Sequence, residues 1–502
     1  MTIQQPTRSA VDLAMFGGGR AVPRELGIRP WPMVTDQDEQ AVQRVLGSGR
    51  FTSASSGEQE ITGLEREWAR FVGTEHCVAV SNGTAALSVA LAAAGVEPGD
   101  EVIVPALSFI GSATAPLHLM AVPVFVDIDP VTFNLDPAAL EAAITGRTKA
   151  IVVVHLHGLP ADLDRITEIA ARHGITVVED AAQAHGARYR GRSVGSIGAV
   201  NTFSLNVSKN LATCGEGGLI TTDDADVATR ATMLRQFGEL IPARGERSYV
   251  AHLLGWNCKP NAIQAAFTRS RLTRLPAEMA VRGENVGRLL GRLAAYPGFL
   301  VPEVPEDRTH AWHILRIRVD PAAFGLPDEA AGPLRSVLQR ALRAEGVPAV
   351  PYQLQPLPAQ RVFTARRGFG AYPWALPGVV DRPYRPGDFP ATLRVLEDSF
   401  TIQKAHLHPE SGPLLDRYAD AFEKVWLNRE ALAAVAATTD CTPHWERAST
   451  IADAEWAGAF GARSPARPRP GGGGGGARAS GRGGGRAGGG GRARARGGRA
   501  PR

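Results

Sequence analysis

An amine, a carboxylate and a glycine-marked turn stand out in this sequence, because together they have the parts of a covalent catalytic site. Lys209 precedes the glycine-rich turn 215–218, and Asp180 follows Val177, Val178 and Glu179 at the end of a probable strand. Upstream, residues 83–84 (Gly-Thr) open an alanine-rich, helix-forming stretch. Backbone N–H groups at the start of a helix bind phosphate. The sequence therefore predicts a site for a phosphorylated molecule that reacts with a lysine.

Pyridoxal phosphate is the cofactor that these parts fit, since the protein must supply its binding and its electronic tuning. Lys209 is the candidate for the Schiff base and, once released, for moving protons. Asp180 would keep the pyridine nitrogen protonated, whereas Glu179 on the same strand should point to the other face. Taken alone, a loop lysine is usually a solvated charge and a strand-end aspartate a helix cap. The combination and order of these residues favour a catalytic site over these separate structural roles.

Further residues are candidates for holding the cofactor. Gly83 and Thr84 would bind the phosphate through the helix start, and Ser204 would add a hydroxyl group. Phe109 would stack on the ring, although a lone aromatic residue more often belongs to a core. Gln183 would donate a hydrogen bond to the oxygen of the ring hydroxyl.

The composition predicts a soluble enzyme of two domains. A chain of 502 residues exceeds the usual size of one core. It has no apolar run of about 18 residues, so no transmembrane helix is predicted. The first residues lack a secretory pattern, which favours the cytoplasm. Four scattered cysteines suit free thiols in a reducing compartment and show no metal-ligand spacing, so no metal is predicted: Cys77, Cys214, Cys258 and Cys441.

The basic character of the chain resides in one segment. Residues 463–502 carry 11 arginines and no acid, whereas the remaining residues are mildly acidic, although the whole chain has a net charge of +5. Gly, Arg, Ala and Pro dominate this tail, which predicts disorder. It has no interleaved Phe or Tyr for stacking on bases. A dispensable extension is therefore favoured over a nucleic-acid-binding segment.

Alternating apolar runs and amphipathic stretches over residues 75–240 predict a mostly parallel α/β sheet covered by helices. A second alternation after residue 300 predicts a smaller α+β domain. The segment Arg361–Pro390 reads as a long ordered loop. The predicted organisation is an N-terminal extension (1–30), a large cofactor-binding domain (31–295), a small C-terminal domain (296–440) and a disordered tail (441–502).

From Trp31 to Leu427 the chain resembles the sugar and cyclitol aminotransferases of the DegT/DnrJ/EryC1/StrS family, a fold-type-I pyridoxal phosphate group. The motifs that carry this resemblance occur in the family's order: Ser81–Leu87, Phe125–Asp129, His155–Gly158, Glu179–Gly186, Phe203–Leu211, Gly215–Gly218 and Gly255–Asn257. The resemblance implies a large domain with a seven-stranded sheet and the cofactor roles given above. It also implies that Asn257 reaches the phosphate from a second subunit, hence a homodimer with shared sites.

The resemblance implies transfer of an amino group from L-glutamate or L-glutamine to a keto-sugar or keto-cyclitol in specialised metabolism. The Arg361–Pro390 loop is more like the branch that aminates keto-cyclitols such as scyllo-inosose; a nucleotide keto-sugar is the alternative substrate. Cys258 and Lys259 depart from the aromatic residue and arginine of many members, which leaves recognition of the donor carboxylate open. A dehydratase of the same fold would have histidine at Lys209, and a non-catalytic regulator would act through the tail.

The sequence leaves two possible roles open for five histidines. They could contact substrate hydroxyl groups, but each is more often a structural hydrogen-bonding residue: His155, His157, His185, His310 and His313.

Overall fold

A seven-stranded sheet forms the centre of the protein in the computed structural model, which describes residues 12–53, 55, 57–241, 247–380 and 382–460. Its strand order is β1-β9-β8-β5-β4-β2-β3. The pairs from β8 to β3 are parallel, and β9 runs antiparallel to both of its neighbours. The predicted mostly parallel sheet is confirmed.

The strands, in chain order, are β1 (His76–Val80), β2 (Glu101–Pro105), β3 (Val122–Val126), β4 (Thr148–Val154), β5 (Thr176–Asp180), β6 (Arg188–Tyr189), β7 (Arg192–Ser193), β8 (Val200–Ser204), β9 (Gly218–Thr222), β10 (Phe299–Leu300), β11 (Leu315–Val319) and β12 (Ser399–Ile402).

The α-helices are α1 (Asp36–Ser48), α2 (Glu60–Val72), α3 (Gly83–Ala93), α4 (Gly111–His118), α5 (Pro137–Ala143), α6 (Leu163–His173), α7 (Ala225–Leu234), α8 (Ala262–Leu272), α9 (Leu275–Leu293), α10 (Ala331–Glu345), α11 (Arg361–Thr364), α12 (Pro390–Glu397), α13 (Gly412–Leu427), α14 (Arg429–Ala437) and α15 (His444–Phe460). Short 3-10 helices lie at Ala14–Phe16, Leu156–Gly158, Ala322–Phe324, Asp328–Ala330, Leu357–Ala359, Pro386–Asp388, Lys404–His406 and Pro409–Ser411.

Both faces of the central sheet are buried, which explains why its parallel strands read as continuous apolar runs. Along β4, Ile151 and Val153 belong to the core shared with α1, α2, α6 and α8, whereas Val152 and Val154 belong to the core shared with α3 and α4. Successive side chains of a strand point to opposite faces. The sheet is therefore a rigid layer whose strand ends are fixed from both sides.

Helix α3 packs against the central sheet and begins beside the cavity described below. Its sequence is rich in Ala, Leu and Val, and nearly every residue after its first turn is buried. The Asn82 side chain accepts a hydrogen bond of 2.8 Å from the Ala85 N–H and so caps the helix at its amino end. The cap fixes the first turn beside the carboxyl end of β8.

The smaller α+β region is organised around the strand order β10-β11-β12, with antiparallel pairing. Its core is formed mainly by α9, α10, α13 and α14 with these strands, and it also contains Leu13 and Val22 from the N-terminal segment. The buried carboxylate of Glu345 holds that segment by accepting from the N–H groups of Ala14 and Ala21. The N-terminal extension is thus packed onto the small domain over these residues.

One sequence-based boundary is wrong. The disordered tail was predicted from residue 441, but helix α15 occupies His444–Phe460. The backbone N–H of His444 donates to Glu397 Oε1 at 2.8 Å, so the start of this helix is held by α12. A tail prediction based on composition placed its boundary too early because the segment after 441 is not yet glycine- and arginine-rich. Residues 461–502, which carry the tail prediction, lie outside the described residues.

Glu179 faces away from the cavity described below and holds the chain that returns to β8. Its carboxylate accepts from His155 Nε2 at 2.8 Å and from the N–H groups of Gly195, Ile197 and Gly198 at 2.6–2.8 Å. Burial alone would raise the pKa of Glu179, but these hydrogen bonds outweigh it and lower the pKa below its ordinary value. The loop 195–198 therefore depends on one buried charge.

Replacing Glu179 with Ala should lower the free energy of unfolding by about 3–5 kcal/mol, because it leaves a histidine and three backbone N–H groups buried without their acceptor. Urea unfolding followed by tryptophan fluorescence measures the change. Glu168→Ala is the matched control, since Glu168 is exposed and pairs with Arg172 on the surface of α6. The control should shift stability by less than about 0.5 kcal/mol. Equal effects of the two substitutions would contradict this role of Glu179.

Candidate active site

A cavity of about 600 Å³ lies at the carboxyl end of the central sheet, where ligands of open α/β sheets bind. Large-domain residues form most of its wall, and the small domain adds three side chains. The lining residues are Asn82, Gly83, Thr84, Leu87, Ser108, Phe109, Gly111, Ser112, Val154, Asp180, Ala182, Gln183, Thr202, Phe203, Ser204, Asn206, Ser208, Lys209, Glu216, His313, Tyr352 and Lys404.

The predicted phosphate cradle is assembled at one end of this cavity. Gly83 begins α3, and Thr84 and Ser204 line the same wall. A Cβ atom at Gly83 would lie 2.6 Å from Cβ of Ser204, so the helix start can approach β8 this closely only with glycine. The result is a cluster of hydroxyl groups and free helix N–H groups, which suits a phosphate.

Asp180 ends β5 and is buried at the cavity wall. Its Oδ2 accepts from the Ser112 hydroxyl at 2.7 Å, and Ser112 lies 2.9 Å from the Ser108 hydroxyl. Its Oδ1 accepts from the Ala182 N–H at 3.2 Å. The aspartate is thus oriented by serine and backbone donors, with no basic side chain among its hydrogen-bond partners in the described chain. A carboxylate held in this way can pair with a protonated ring nitrogen.

Gln183 is held beside Asp180 by a chain of side chains that reaches the small domain. The His157 backbone N–H donates to Gln183 Oε1 at 2.7 Å, so the amide NH₂ group is the donor left for a ligand. Arg316 of β11 donates through Nε to His157 Nε2 at 2.9 Å and through its other nitrogens to Ser399 and Tyr352. Burial, with the nearby Arg316 charge, holds the pKa of His157 well below its ordinary value. The histidine is therefore a neutral acceptor.

The Lys209 amine has no hydrogen bond or ion pair among the described residues, which leaves it available for reaction. Burial lowers the pKa of Lys209 to about 8, although Asp180 acts in the opposite direction. Its backbone is fixed at both ends: the carbonyl accepts from Trp31 Nε1 at 3.0 Å and the N–H donates to the Asn206 carbonyl at 2.8 Å. A lysine with a lowered pKa is a better nucleophile near neutral pH.

Phe109 and Asn257, two further residues predicted to bind the cofactor, lie in different environments. Phe109 lines the cavity but is 58% exposed, so it is not a core residue. Asn257 is exposed on the surface and does not line the cavity of its own chain in the described structure. Its amide oxygen instead accepts from the Lys259 ammonium group. The role of Asn257 in a partner's site remains a prediction.

Of the five candidate histidines, His313 alone lines the described cavity. His155 is paired with Glu179, His157 with Arg316, and His310 stacks on Trp312 at 3.8 Å between ring centroids. Burial lowers the pKa of His185 to about 3, so its ring is neutral. None of these four histidines lines the described cavity, and a structural role for them remains a prediction. Cys214 also lies outside the cavity lining.

Sequence reasoning missed several residues of the cavity. Ser112 could have been found, since it follows Phe109 on the turn into α4. Glu216 lies within the glycine-rich turn 215–218, so its position was available from that motif. Tyr352 and Lys404 gave no local signal, because their neighbours in sequence form ordinary loops or short turns, and tertiary packing alone brings them to the cavity.

The residues present fit pyridoxal phosphate. The glycine that permits close approach at the cradle, the buried acceptor Asp180 and the unpaired Lys209 amine match its phosphate, ring nitrogen and aldehyde. When bound, this cofactor supplies an electron sink for a carbanion formed next to an amine. The described part of the chain contains no cluster of His, Cys, Asp or Glu that could hold a metal ion. A buried lysine facing a carboxylate at the carboxyl end of a mostly parallel sheet is the arrangement expected of a fold-type-I pyridoxal phosphate enzyme.

Comparisons with known proteins define the family. The model of the DegT/DnrJ/EryC1/StrS aminotransferase family matches residues 32–375. The L-glutamine:scyllo-inosose aminotransferase of Streptomyces griseus is 41% identical over 370 residues, which cover 71% of this chain and 84% of that protein. The dTDP-3-amino-3,4,6-trideoxy-alpha-D-glucose transaminase of Streptomyces venezuelae is 40% identical over 284 residues, or 57% and 72% of the two chains.

A solved structure of 3-amino-5-hydroxybenzoic acid synthase superposes with a TM-score of 0.68 at 32% identity, covering 82% of this chain and 99% of that one. This protein belongs to the DegT/DnrJ/EryC1/StrS aminotransferase family. The predicted fold type, enzyme class and cofactor are confirmed: it is a pyridoxal-phosphate-dependent aminotransferase. No helix in the described ranges is long and apolar enough to cross a membrane.

The rate at which cofactor-free enzyme captures pyridoxal phosphate should rise with pH and level off above a pH of about 8, because the buried Lys209 amine is neutral above its lowered pKa. Borohydride trapping followed by peptide mass spectrometry measures the capture. Lys209→Ala should trap no cofactor, whereas Lys149→Ala, which removes an exposed lysine at the start of β4, should behave as the unaltered protein. A rate that still climbs near pH 10 would contradict the lowered pKa.

Proposed function

We propose that this aminotransferase moves the amino group of L-glutamine to the ketone of a cyclitol of the scyllo-inosose type, as a step in specialised metabolism. The observation that carries the proposal is the charge of the cavity. Outside the parts assigned to the cofactor, its described lining combines polar and apolar side chains with two charged residues, Glu216 and Lys404, and includes no arginine. A neutral polyol ketone needs hydroxyl and amide partners, not a cluster of cations.

Hydrogen-bonding groups for such a polyol surround the Lys209 side of the cavity. Asn206 and Ser208 come from the loop that carries Lys209, and Glu216 follows on the glycine-rich turn. Tyr352 and His313 face the same space from the small domain. Burial and nearby positive charges hold the pKa of His313 well below its ordinary value, so it is a neutral partner for a hydroxyl group.

A nucleotide sugar carries a diphosphate, which is usually bound by arginine or lysine side chains. The described cavity lining offers Lys404 as the one cation beyond Lys209. The cavity of a single chain therefore favours the cyclitol over the nucleotide keto-sugar. The name of the S. griseus relative supports the same donor and the same class of acceptor.

Lys209 has two tasks in the proposed reaction. Its amine would hold the cofactor and, once freed, would move a proton to or from the substrate Cα. A pKa of about 8 allows it to accept and return a proton near neutral pH. Asp180, held by Ser112, would keep the ring nitrogen of the bound cofactor protonated.

Half-reactions in a cuvette test the proposal. Cofactor-loaded enzyme mixed with L-glutamine should lose its visible cofactor band, and scyllo-inosose added afterwards should restore it. L-Glutamate should discharge the band at least about tenfold more slowly, a difference of about 1.4 kcal/mol in barrier. The control is Asp180→Asn, which keeps the shape of the side chain and should slow both half-reactions by orders of magnitude, because the ring nitrogen loses its anionic partner.

Restoration of the band by a dTDP-keto-sugar and not by the cyclitol would replace the proposed acceptor with a nucleotide sugar. Discharge by L-glutamate in preference to L-glutamine would overturn the donor. Either result leaves the aminotransferase class intact.

We also propose that the enzyme is a homodimer with shared active sites. An exposed apolar surface supports this: Leu254 is 93% exposed, Tyr249 74% and Leu240 50%, all close in sequence to Asn257. Large exposed apolar residues grouped together mark an interaction surface. The exposed Asn257 would then reach the partner's phosphate cradle. The free state of Cys77, Cys214, Cys258 and Cys441 supports the cytoplasm as the proposed compartment.

Mixed dimers provide the test of sharing. Lys209→Ala and Asn257→Ala homodimers should each be impaired, the first inactive and the second weakened in cofactor binding. After co-expression or subunit exchange, mixed dimers should regain up to about half of the normal activity, because one site then has both an intact lysine and an intact asparagine. Turnover and size-exclusion light scattering measure the outcome. A monomeric mass, or no recovery on mixing, would contradict shared sites.

A further inference from the structure

Lys404 is a cation in the cavity for which the family motifs provide no role. It begins the 3-10 helix Lys404–His406, directly after β12, and its side chain is one of the three that the small domain adds to the cavity. The position is far in sequence from all motifs of the large domain. Nothing in its local sequence, Gln403 to His406, marks it as part of a site.

The Lys404 ammonium group has no acceptor among the described residues. No hydrogen bond or ion pair to its Nζ is formed in the structure, and burial alone lowers its pKa, with no carboxylate close enough to oppose that effect. A partly buried cation without a partner costs stability. The cost is recovered when a ligand supplies the anion.

Lys404 lies on the Lys209 side of the cavity. The charge of Lys404 helps to lower the pKa of Lys209. Burial is the largest cause of the lowered pKa of His313, and the charges of Lys209 and Lys404 lower it further. Both lysines and His313 line the same cavity and are close enough to influence one another's charge. The phosphate cradle at Gly83 and Ser204 is built from different elements, α3 and β8.

The other charges of the cavity are already committed. Asp180 accepts from Ser112, and Glu216 accepts from the Asn206 amide. Lys209 is the residue that bonds to the cofactor. Lys404 is therefore the uncommitted charge in the described lining, and it is positive. A donor amino acid brings an α-carboxylate to this space and needs such a cation.

We propose that Lys404 binds the α-carboxylate of the amino-acid donor. This role rests on the proposed function in that the donor is L-glutamine. The ammonium group fixes the donor so that its α-amine faces the cofactor carbon next to Lys209. When the neutral ketone occupies the same space in the second half-reaction, Lys404 has only hydroxyl groups to contact, so its contribution there is small.

Lys259 is the competing candidate, because many family members have arginine at its position. In this chain its Nζ lies 4.0 Å above the centroid of the Phe237 ring and donates to Asn257. It does not line the described cavity of its own chain. It would reach a carboxylate only in the site of a second subunit.

Equilibrium binding of two unreactive probes distinguishes these lysines. Glutaramate is L-glutamine without its α-amine and keeps the carboxylate; glutaramide replaces that carboxylate with a neutral amide. Neither probe has an amine that can react with the cofactor. Calorimetric titration of the full-length, cofactor-loaded enzyme gives both affinities, and an unchanged visible cofactor band verifies that each variant has an intact site.

Lys404→Met should weaken glutaramate binding by about 10- to 100-fold, as expected for one hydrogen-bonded charge, and leave glutaramide binding unchanged. Lys404→Arg should retain most of the preference for glutaramate. Lys149→Met, an equal loss of charge at the exposed start of β4, should alter neither affinity. In turnover, Lys404→Met should raise the KM for L-glutamine far more than it lowers kcat.

Unchanged glutaramate affinity in Lys404→Met would overturn the proposal, and so would loss of that affinity in Lys259→Met alone. Equal weakening of both probes would also overturn it, since a general distortion of the site does not depend on charge. The titrations need no acceptor ketone and no transfer of an amine. Failure of the proposed cyclitol reaction is therefore seen separately, in the half-reactions of the unaltered enzyme.

Discussion

The site depends on one constraint: two consecutive carboxylates at the end of a central strand must both be buried, on opposite faces of the sheet. Glu179 is satisfied by His155 and by the N–H groups of the loop 195–198. Because those partners hold its neighbour on the far side, Asp180 must point into the cavity. A buried charge without hydrogen bonds is costly, so this arrangement defines which face of the sheet receives the cofactor.

The central sheet also determines the positions of the other site residues. Strand β8 lies beside β5, so Ser204 and the loop to Lys209 emerge next to Asp180. Helix α3 packs on β8 through Gly83, which brings the phosphate end to a defined separation from the lysine. The lowered pKa of Lys209 is then a result of burial, which outweighs the opposing charges of Asp180 and Glu216. Reactivity thus arises from packing as much as from any single contact.

Much of the large domain could be predicted from sequence, because its signals are local. The alternation of apolar runs and amphipathic stretches predicted over residues 75–240 corresponds to strands β1–β5, β8 and β9 and helices α3–α7. The opposite orientation of Glu179 and Asp180 follows from the period of a strand, and the structure shows it. Cavity residues such as Gln183 were predicted from motifs with a known order.

Residues whose role depends on distant contacts could not be predicted. Ser112 orients Asp180 across 68 positions of sequence, and Arg316 reaches His157 across 159. Neither pair leaves a periodic or compositional trace. The start of the tail was misjudged for a related reason: α15 is held by contacts with α12 and not by a strong amphipathic pattern of its own. Tertiary contacts of this kind are visible only in the folded chain.

The division of the cavity between two domains has an evolutionary consequence. The wall from the central-sheet region carries the predicted cofactor residues together with Asn206, Ser208 and Glu216, whereas His313, Tyr352 and Lys404 come from the smaller α+β region. Part of the cavity wall is therefore encoded far from the motifs around Asp180 and Lys209. Substitutions at these three positions can change the cavity while the residues around Lys209 are inherited unaltered. A single ancestral scaffold can in this way acquire cavities of different shape and charge around the same lysine.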